Sequence, residues 1–382
     1  MLIHKAIKLR AYPTDTQLEL LNKHFGCVRF IYNYFLAYKT EQYKKTGKSA
    51  SFIQMSRELT RLKSSSEYAW LCEVSRQSLT RSLAGLDIAF NNFFKKRAEY
   101  PKFKSKHHNR QSFTVGAPPC SVKSNGVHLP LVGVIKCDTS ILPDNYKIYS
   151  ATVSRSPANK IFVSLAIEID IPNPIVDTSK PIIGLDFGIK TFITTSSGVK
   201  YEHPKPNKKY QLKLAKEQRI LARRQNNSKR RQKQRLKTAR VYEKIANIRS
   251  DFLHKLSRKL TGENQAIYVE DLNLDEMKLR FGGPISDLGW AEFVRQLTYK
   301  GIWYGCSVKK IDRFFPSSKT CSKCGWIKQD LFLKDRIWEC PVCFTEHDRD
   351  INAAINVLEY GRADRNLRTG REDQLLGELC NS

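Results

Sequence analysis

Two cysteine pairs near the C-terminus limit what this chain can become more than any other feature. Cys321-x2-Cys324 and Cys340-x2-Cys343 are separated by fifteen residues. Each pair fits one tight turn, and the turns must meet if the four thiolates are to share an ion. Four sulfur donors close a tetrahedral site with no open position, so the expectation is one structural Zn²⁺ held by Cys321, Cys324, Cys340 and Cys343. A redox role needs a thioredoxin-like βαβ context, which the flanking sequence lacks. The other six cysteines, Cys27, Cys72, Cys120, Cys137, Cys306 and Cys380, are scattered. They read as buried small hydrophobes rather than bridges.

Charge narrows the partner. Sixty-six Lys and Arg face 37 Asp and Glu among 382 residues, a net charge of +29. That excess repels itself unless a polyanion neutralises it, and nucleic acid is the default polyanion. The charge is clustered: residues 205–240 hold fifteen Lys or Arg against one acid, Glu217. Arg223, Arg224, Arg230, Arg231 and Arg235 are therefore expected to contact phosphates, with a solvated helix face as the plainer alternative. Length allows two or three domains. No apolar run is long enough to span a bilayer, and Met1 to Lys8 lacks a signal-peptide core. A cytoplasmic, nucleoid-associated location is the expectation, with no membrane partner.

Periodicity divides the chain. Ile3 to Tyr12 alternates as a strand, and Pro13, Thr14 and Asp15 start a helix. From Gln17 to about Phe94 the spacing is helical, with Phe30, Ile31, Tyr34 and Phe35 on one face and Leu79, Leu83, Leu86 and Phe90 on another. Tyr100 to Ser105 breaks this run. Val127 to Lys136 and Tyr149 to Asp170 then read as a small β-barrel or sheet that includes the N-terminal strand. Pro172, Pro174 and Pro181 mark a linker. Beyond it, strands are expected over Ile182–Phe187, Thr191–Thr195, Val199–His203, Ala266–Leu272 and Ser307–Phe314. Helices are expected over about 208–260, Trp290–Tyr304 and about Asp350–Tyr360, and the tail past Arg362 reads as loosely ordered.

Three acids stand out on this pattern. Asp186 lies inside the apolar run Ile182-Ile183-Gly184-Leu185-Asp186-Phe187, where a carboxylate is costly unless it is paired or binds a cation. Glu270 closes a second apolar strand, with Asp271 on the opposite face. Asp350 opens the last helix, and Ala353 and Ala354 follow it with side chains small enough for close approach to a sheet. Each acid alone has an ordinary reading: a turn residue, a surface ion pair, a helix cap. Together they are the ligand set that phosphodiester cleavage requires, in which carboxylates hold two Mg²⁺ about 3.5–4 Å apart. Asp186-Phe187-Gly188 also spells a kinase motif, but no glycine-rich loop or His-Arg-Asp loop accompanies it.

The blocks GLDFG (184–188), YVEDLNL (268–274), SSKTCSKCG (317–325), CPVC (340–343) and DRDINAAINV (348–357) resemble the signatures of the TnpB (OrfB-type) proteins of insertion sequences. FGCVRFIYNYFL (25–36) and YPKFKS (100–105) are similar to that family too, so the resemblance spans Met1 to about Arg362. It implies an RNA-guided, Mg-dependent DNA endonuclease related to type V CRISPR effectors. Such an enzyme cleaves double-stranded DNA beside a short target-adjacent motif, using a guide RNA from the element's own end. The implied fold is multidomain α+β: an RNase H-like (RuvC) α/β core with an inserted zinc ribbon, and a helical lobe inserted in a small β-barrel. The boundaries are 1–12 and 106–175 for a wedge-like barrel, 13–105 for a recognition lobe, 181–316 and 347–362 for the nuclease core, 317–346 for the ribbon and 363–382 for a flexible tail. Family motifs place the catalytic acids at Asp186, Glu270 and Asp350; Asp348 competes locally, and Asp350 fits the D-x-N-A-A block. A transposase that joins DNA ends and a zinc-ribbon regulator are the competing readings.

Overall fold

Alternation of buried and half-buried residues builds the first sheet. In the computed structural model, which describes residues 1–106, 111–273, 276, 277, 279, 282–332 and 334–363, seven strands come first. They are β1 (Leu2–Tyr12), β2 (Gln111–Gly116), β3 (Ser121–Lys123), β4 (Gly126–Leu129), β5 (Gly133–Cys137), β6 (Tyr146–Arg155) and β7 (Ile161–Asp170). Their order is β2-β6-β7-β1-β5-β4-β3, antiparallel throughout. β7 buries Ile161, Val163, Leu165, Ile167 and Ile169 while their neighbours stay half-buried, the signature of a sheet with one covered face. The expected N-terminal strand is β1, which runs against β7 from Leu2↔Asp170 to Ala11↔Ile161. A closed barrel was one expectation. Among the described residues no ladder joins β2 to β3, so the sheet is open.

Three α-helices and a 3-10 turn lie between β1 and β2. α1 (Asp15–Thr46) starts at Thr14, whose side chain and that of Gln17 form a capping box, and ends at Gly47 in the left-handed conformation. α2 (Phe52–Ser64) begins with a second capping box, Ser51 and Gln54. α3 (Arg76–Phe94) buries Leu79, Leu83, Leu86 and Phe90, the face read from spacing. The chain divides into two compact units, 1–172 with 235–240, and the described residues of 173–234 and 241–382.

In the second unit, β8 (Ile182–Phe187), β9 (Ile193–Thr195), β10 (Lys200–Tyr201), β11 (Ala266–Val269) and β12 (Ser307–Lys310) form a mixed sheet, β10-β9-β8-β11-β12. β8 runs parallel to β11 and β11 parallel to β12, while β9 and β10 are antiparallel neighbours. The two strands expected over 266–272 and 307–314 stop early, at Val269 and Lys310. The acidic residues that follow β11 therefore leave the ladder at its end.

Both faces of this sheet are covered. Ile183, Leu185, Ile267 and Val269 pack on Leu253, Leu256 and Leu260 of α5 (Lys229–Glu263) and on Phe293 and Leu297 of the helix Trp290–Tyr304. The basic helical stretch is a pair of helices, α4 (Pro206–Ala222) and α5, with a break at 223–228. The opposite face meets the closing helix, 349–363, through Tyr268, Val357 and Leu358. A Cβ on Gly184 would stand 2.2 Å from the Ala354 carbonyl oxygen, and Ala353 and Ala354 are buried. Small residues on both sides thus let the helix lie directly on β8. The blocks FGCVRFIYNYFL (25–36) and YPKFKS (100–105) fall in the first unit, and the tail beyond residue 363 lies outside the described residues.

Candidate active site and metal centre

Strand period assigns the acids to a face. Ile182 and Tyr268 belong to the cluster under the closing helix, while Ile183, Leu185, Ile267 and Val269 face the other way. Two-residue alternation from Ile182 through Gly184 puts Asp186 on the closing-helix face, and one step from Tyr268 puts Glu270 there. The β8–β11 register pairs Leu185 with Val269, so the two acids follow side by side at the strand ends. Asp350 stands in the first turn of the closing helix, over that end of the sheet.

The electrostatics agree with this placement. Burial, and then the negative charges of Glu270 and Asp350, push the Asp186 carboxyl well above its ordinary value, with Arg349 and Arg336 offsetting part of the rise. Burial also raises Glu270, against the pull of a hydrogen bond from the Ser317 hydroxyl. Asp350 takes an ion pair from Arg336 at 3.1 Å. Asp271, on the other side of the strand, is held low by hydrogen bonding to Lys310, with Arg313 adding to the pull. This contrast separates Asp271, paired with two cations, from Asp186 and Glu270, which form no ion pair among the described residues.

Asp348 has a different job. Its Oδ1 accepts from the backbone N–H groups of Asp350 and Ile351 at 3.0 and 3.1 Å, and Lys200 meets its Oδ2 at 2.7 Å. It caps the closing helix. Against the cost of burial, these bonds lower its pKa.

The four cysteines converge. The sulfurs of Cys321, Cys324, Cys340 and Cys343 all lie within 4.8 Å of one another, with Cys321–Cys343 and Cys324–Cys340 at 3.6 Å. Four thiolates about 2.3 Å from one zinc ion stand roughly 3.8 Å apart, so the quartet fits a tetrahedral metal site. Among the described residues this is the one such cluster; the oxygens of the three acids are not drawn together as closely. The hairpin of β13 (Ile337–Glu339) and β14 (Glu346–Asp348) carries His347, whose Nε2 lies 3.1 Å from the Cys321 sulfur. Spacing of cysteines alone gave no reason to include that histidine.

Two readings of single residues change. Arg231 donates from Nη1 to the carbonyls of Leu221 at 2.8 Å and Arg224 at 2.9 Å, closing the end of α4, so one end of its guanidinium is engaged with backbone. Arg223, Arg224, Arg230 and Arg235 are exposed. Cys27, Cys120, Cys137 and Cys306 are buried as expected, but Cys72 is exposed, at the end of a 3-10 turn that follows α2 and leaves it uncovered; Cys380 lies outside the described residues. In the first unit, Arg29, Arg81, Lys102 and Lys104 line a cavity of about 540 Å³ together with Phe25 and Phe113. Its members come from α1, α3, the segment before β2 and β2 itself; Phe25 and Arg29 lie in FGCVRFIYNYFL and Lys102 and Lys104 in YPKFKS, and no spacing rule brings those two blocks together. No helix among the described residues is long and apolar enough to cross a membrane.

An acid-ended mixed sheet beside a thiolate quartet places the chain in a structural class, the fold of the Cas12f1 effectors. A solved Cas12f1–sgRNA–target DNA complex matches it with a TM-score of 0.58 at 15% identity, covering 93% of this chain and 98% of that one. Family models described as "Probable transposase" (OrfB type), "Cas12f1-like, TNB domain" and "Helix-turn-helix domain" match residues 164–280, 290–357 and 1–48. The last spans β1 and the single helix α1 here, not a helix-turn-helix. A Streptomyces pristinaespiralis protein is 39% identical over 94% of this chain and 90% of its own length. InsQ of Escherichia coli K12 is 30% identical over 94% and 92%. Both are named "Putative RNA-guided DNA endonuclease". The chain belongs to the OrfB (TnpB) family of insertion-sequence proteins.

Proposed function

We propose that this chain is an RNA-guided, Mg-dependent DNA endonuclease with a RuvC-type, RNase H-like core. The observation that carries the reading is the gathering of Asp186, Glu270 and Asp350 at one end of the five-stranded sheet, where Asp186 and Glu270 are raised by burial. Carboxylates so placed ask for a cation, and hard oxygen donors suit Mg²⁺. Bound there, two ions would supply an activated water and charge compensation at the leaving oxygen. The chain's own part is to hold three carboxylates at that spot beside the closing helix. A two-ion site also spreads its ligands more widely than the sulfurs of a single zinc centre.

In this reading residues 181–316 and 347–362 form the nuclease core, 317–346 a ribbon around one structural Zn²⁺, 1–12 with 106–175 the wedge, and 13–105 the recognition lobe. Arg223, Arg224, Arg230 and Arg235 contact phosphates, and Arg231 shapes their turn. The partners are a guide RNA from the element's own end and double-stranded DNA cut beside a short target-adjacent motif.

The test is to express the chain with the DNA flanking its gene, sequence the RNA that copurifies, and offer plasmids that match that RNA. Cleavage of matched plasmids alone, dependent on Mg²⁺ or Mn²⁺, is the expected result. Joining of DNA ends without RNA would favour a transposase instead.

A further inference from the structure

We infer that Ser317, at the foot of the ribbon, is a positioning residue for Glu270, and that Asn352 and Asn356 of the closing helix hold it in place. The inference rests on Glu270 being a metal ligand of the proposed nuclease.

Glu270 follows the four-residue strand β11, beyond the last ladder pair. Its long side chain has several rotamers, and ordering a glutamate costs side-chain entropy. The Ser317 hydroxyl donates to Glu270 Oε1 and so removes that freedom, occupying one of the two carboxylate oxygens. Groups that bond a metal-ligating carboxylate in this way set its orientation and basicity.

Ser317 is itself fixed. Its carbonyl accepts from Asn356 Nδ2 at 2.7 Å. Asn356 also donates to the Thr320 carbonyl at 2.6 Å, and Asn352 reaches the same oxygen at 2.7 Å. The Asn352 carbonyl oxygen accepts from the Ser322 N–H at 2.9 Å. Ser317, Asn352 and Asn356 are all buried. Two asparagines four residues apart in a helix share a face, and a buried amide is tolerated only with its partners made. The segment they grip, 317–322, runs straight into Cys321, so it joins the thiolate quartet to the acid at the end of β11. The same helix carries Asp350 in its first turn. One buried polar latch therefore relates Glu270 to Asp350.

The experiment compares the full chain with Ser317→Ala and Ser317→Thr, with Glu270→Ala as reference. Mn²⁺ binding is followed by electron paramagnetic resonance, and guided cleavage is titrated with Mg²⁺. Zinc content and melting temperature establish that each variant is folded. Ser317→Ala should weaken Mn²⁺ binding and raise the Mg²⁺ needed for half-maximal cleavage by roughly ten- to a hundredfold, the usual cost of losing such a partner. Excess Mg²⁺ should restore its rate, and Ser317→Thr, which keeps the hydroxyl, should stay within a few fold of the parent. Unchanged Mn²⁺ binding in a folded Ser317→Ala overturns the inference, as does a lowered rate that no amount of Mg²⁺ restores. If Glu270→Ala itself binds Mn²⁺ and cleaves normally, the nuclease site is misassigned and the inference falls with it.

Discussion

β7 in the seven-stranded sheet buries every second residue, whereas all four residues of β11 in the five-stranded sheet are buried. The first arrangement leaves one face able to carry polar groups at little cost. Glu168, on β7, sits on that face and takes a hydrogen bond from Tyr149. The second is covered by α5 and the helix Trp290–Tyr304 on one side and by the closing helix on the other, so a carboxylate at its edge loses water on both sides. In the second sheet burial raises Glu270 above its ordinary value. Covering the second face is what converts a sheet from scaffold to site.

The sharpest way to break this contrast is to remove one acid from each sheet. Asp186→Ala should lower guided cleavage by on the order of a thousandfold or more, since a metal ligand supports several kcal/mol of transition-state stabilisation. Glu168→Ala should leave the rate within a few fold, and target binding should survive both changes in gel-shift assays. Equal effects would erase the distinction between the sheets.

Packing gives the next test. Gly184→Val would drive a side chain into the backbone of Ala354 and Leu358, and should cost at least about 3 kcal/mol in urea unfolding. Ser164→Val, on the half-buried side of β7, should change stability by no more than about 0.5 kcal/mol. A well-folded Gly184→Val would mean that the closing helix does not lie against β8.

Titration supplies a third. A carboxyl raised above its ordinary value of 3.8 stabilises the fold below that pH and loses its contribution as pH rises through the higher folded value. The metal-free chain should therefore weaken as pH rises above that ordinary value. Asp186→Asn should be more stable than the parent at pH 7 in EDTA, because the amide carries no charge to bury. That advantage should shrink at pH 4 and on adding Mg²⁺ at pH 7. Urea melts under the three conditions decide it, and an advantage unaffected by pH would remove burial as the cause.

The smallest effect concerns the neighbouring acids of the closing helix. Asp348→Ala should cost about 1 kcal/mol, as a lost cap, with cleavage retained. Asp350→Ala should abolish cleavage with little loss of stability. The reverse pattern in paired melts and cleavage assays would move the third ligand to Asp348.

Much of this site could be read before any coordinates. Asp186 and Glu270 were conspicuous because each interrupts or ends an apolar strand, and the cysteine quartet because its spacing has few other uses. Ala353 and Ala354 announced a close helix–sheet contact, but nothing in the sequence identified Gly184 as the residue they approach. Ser317, Arg336 and His347 carried no signal of their own, being common polar residues in a loop-rich segment. Asn352 and Asn356 did carry one: two amides four apart on an otherwise apolar helix face require buried partners. The Arg231 role was hidden for the opposite reason, since fifteen basic residues in one run make any single arginine look like the rest.

What the sequence alone determined is everything governed by local geometry. Period two set the strands and the faces of their acids, Thr14 and Asp15 set where α1 begins, and cysteine spacing set the quartet that could hold a metal. Tertiary structure decided which charges remain uncompensated. Asp271 finds Lys310 and Arg313, Asp348 finds Lys200, and Asp350 finds Arg336, while Asp186 is left facing other acids. The reason is physical. An acid's cost depends on how much water is excluded around it and on which charges arrive from other elements, and Lys200 and Asp348 are 148 residues apart in the chain. Periodicity names the face a side chain occupies, and only packing determines what waits there.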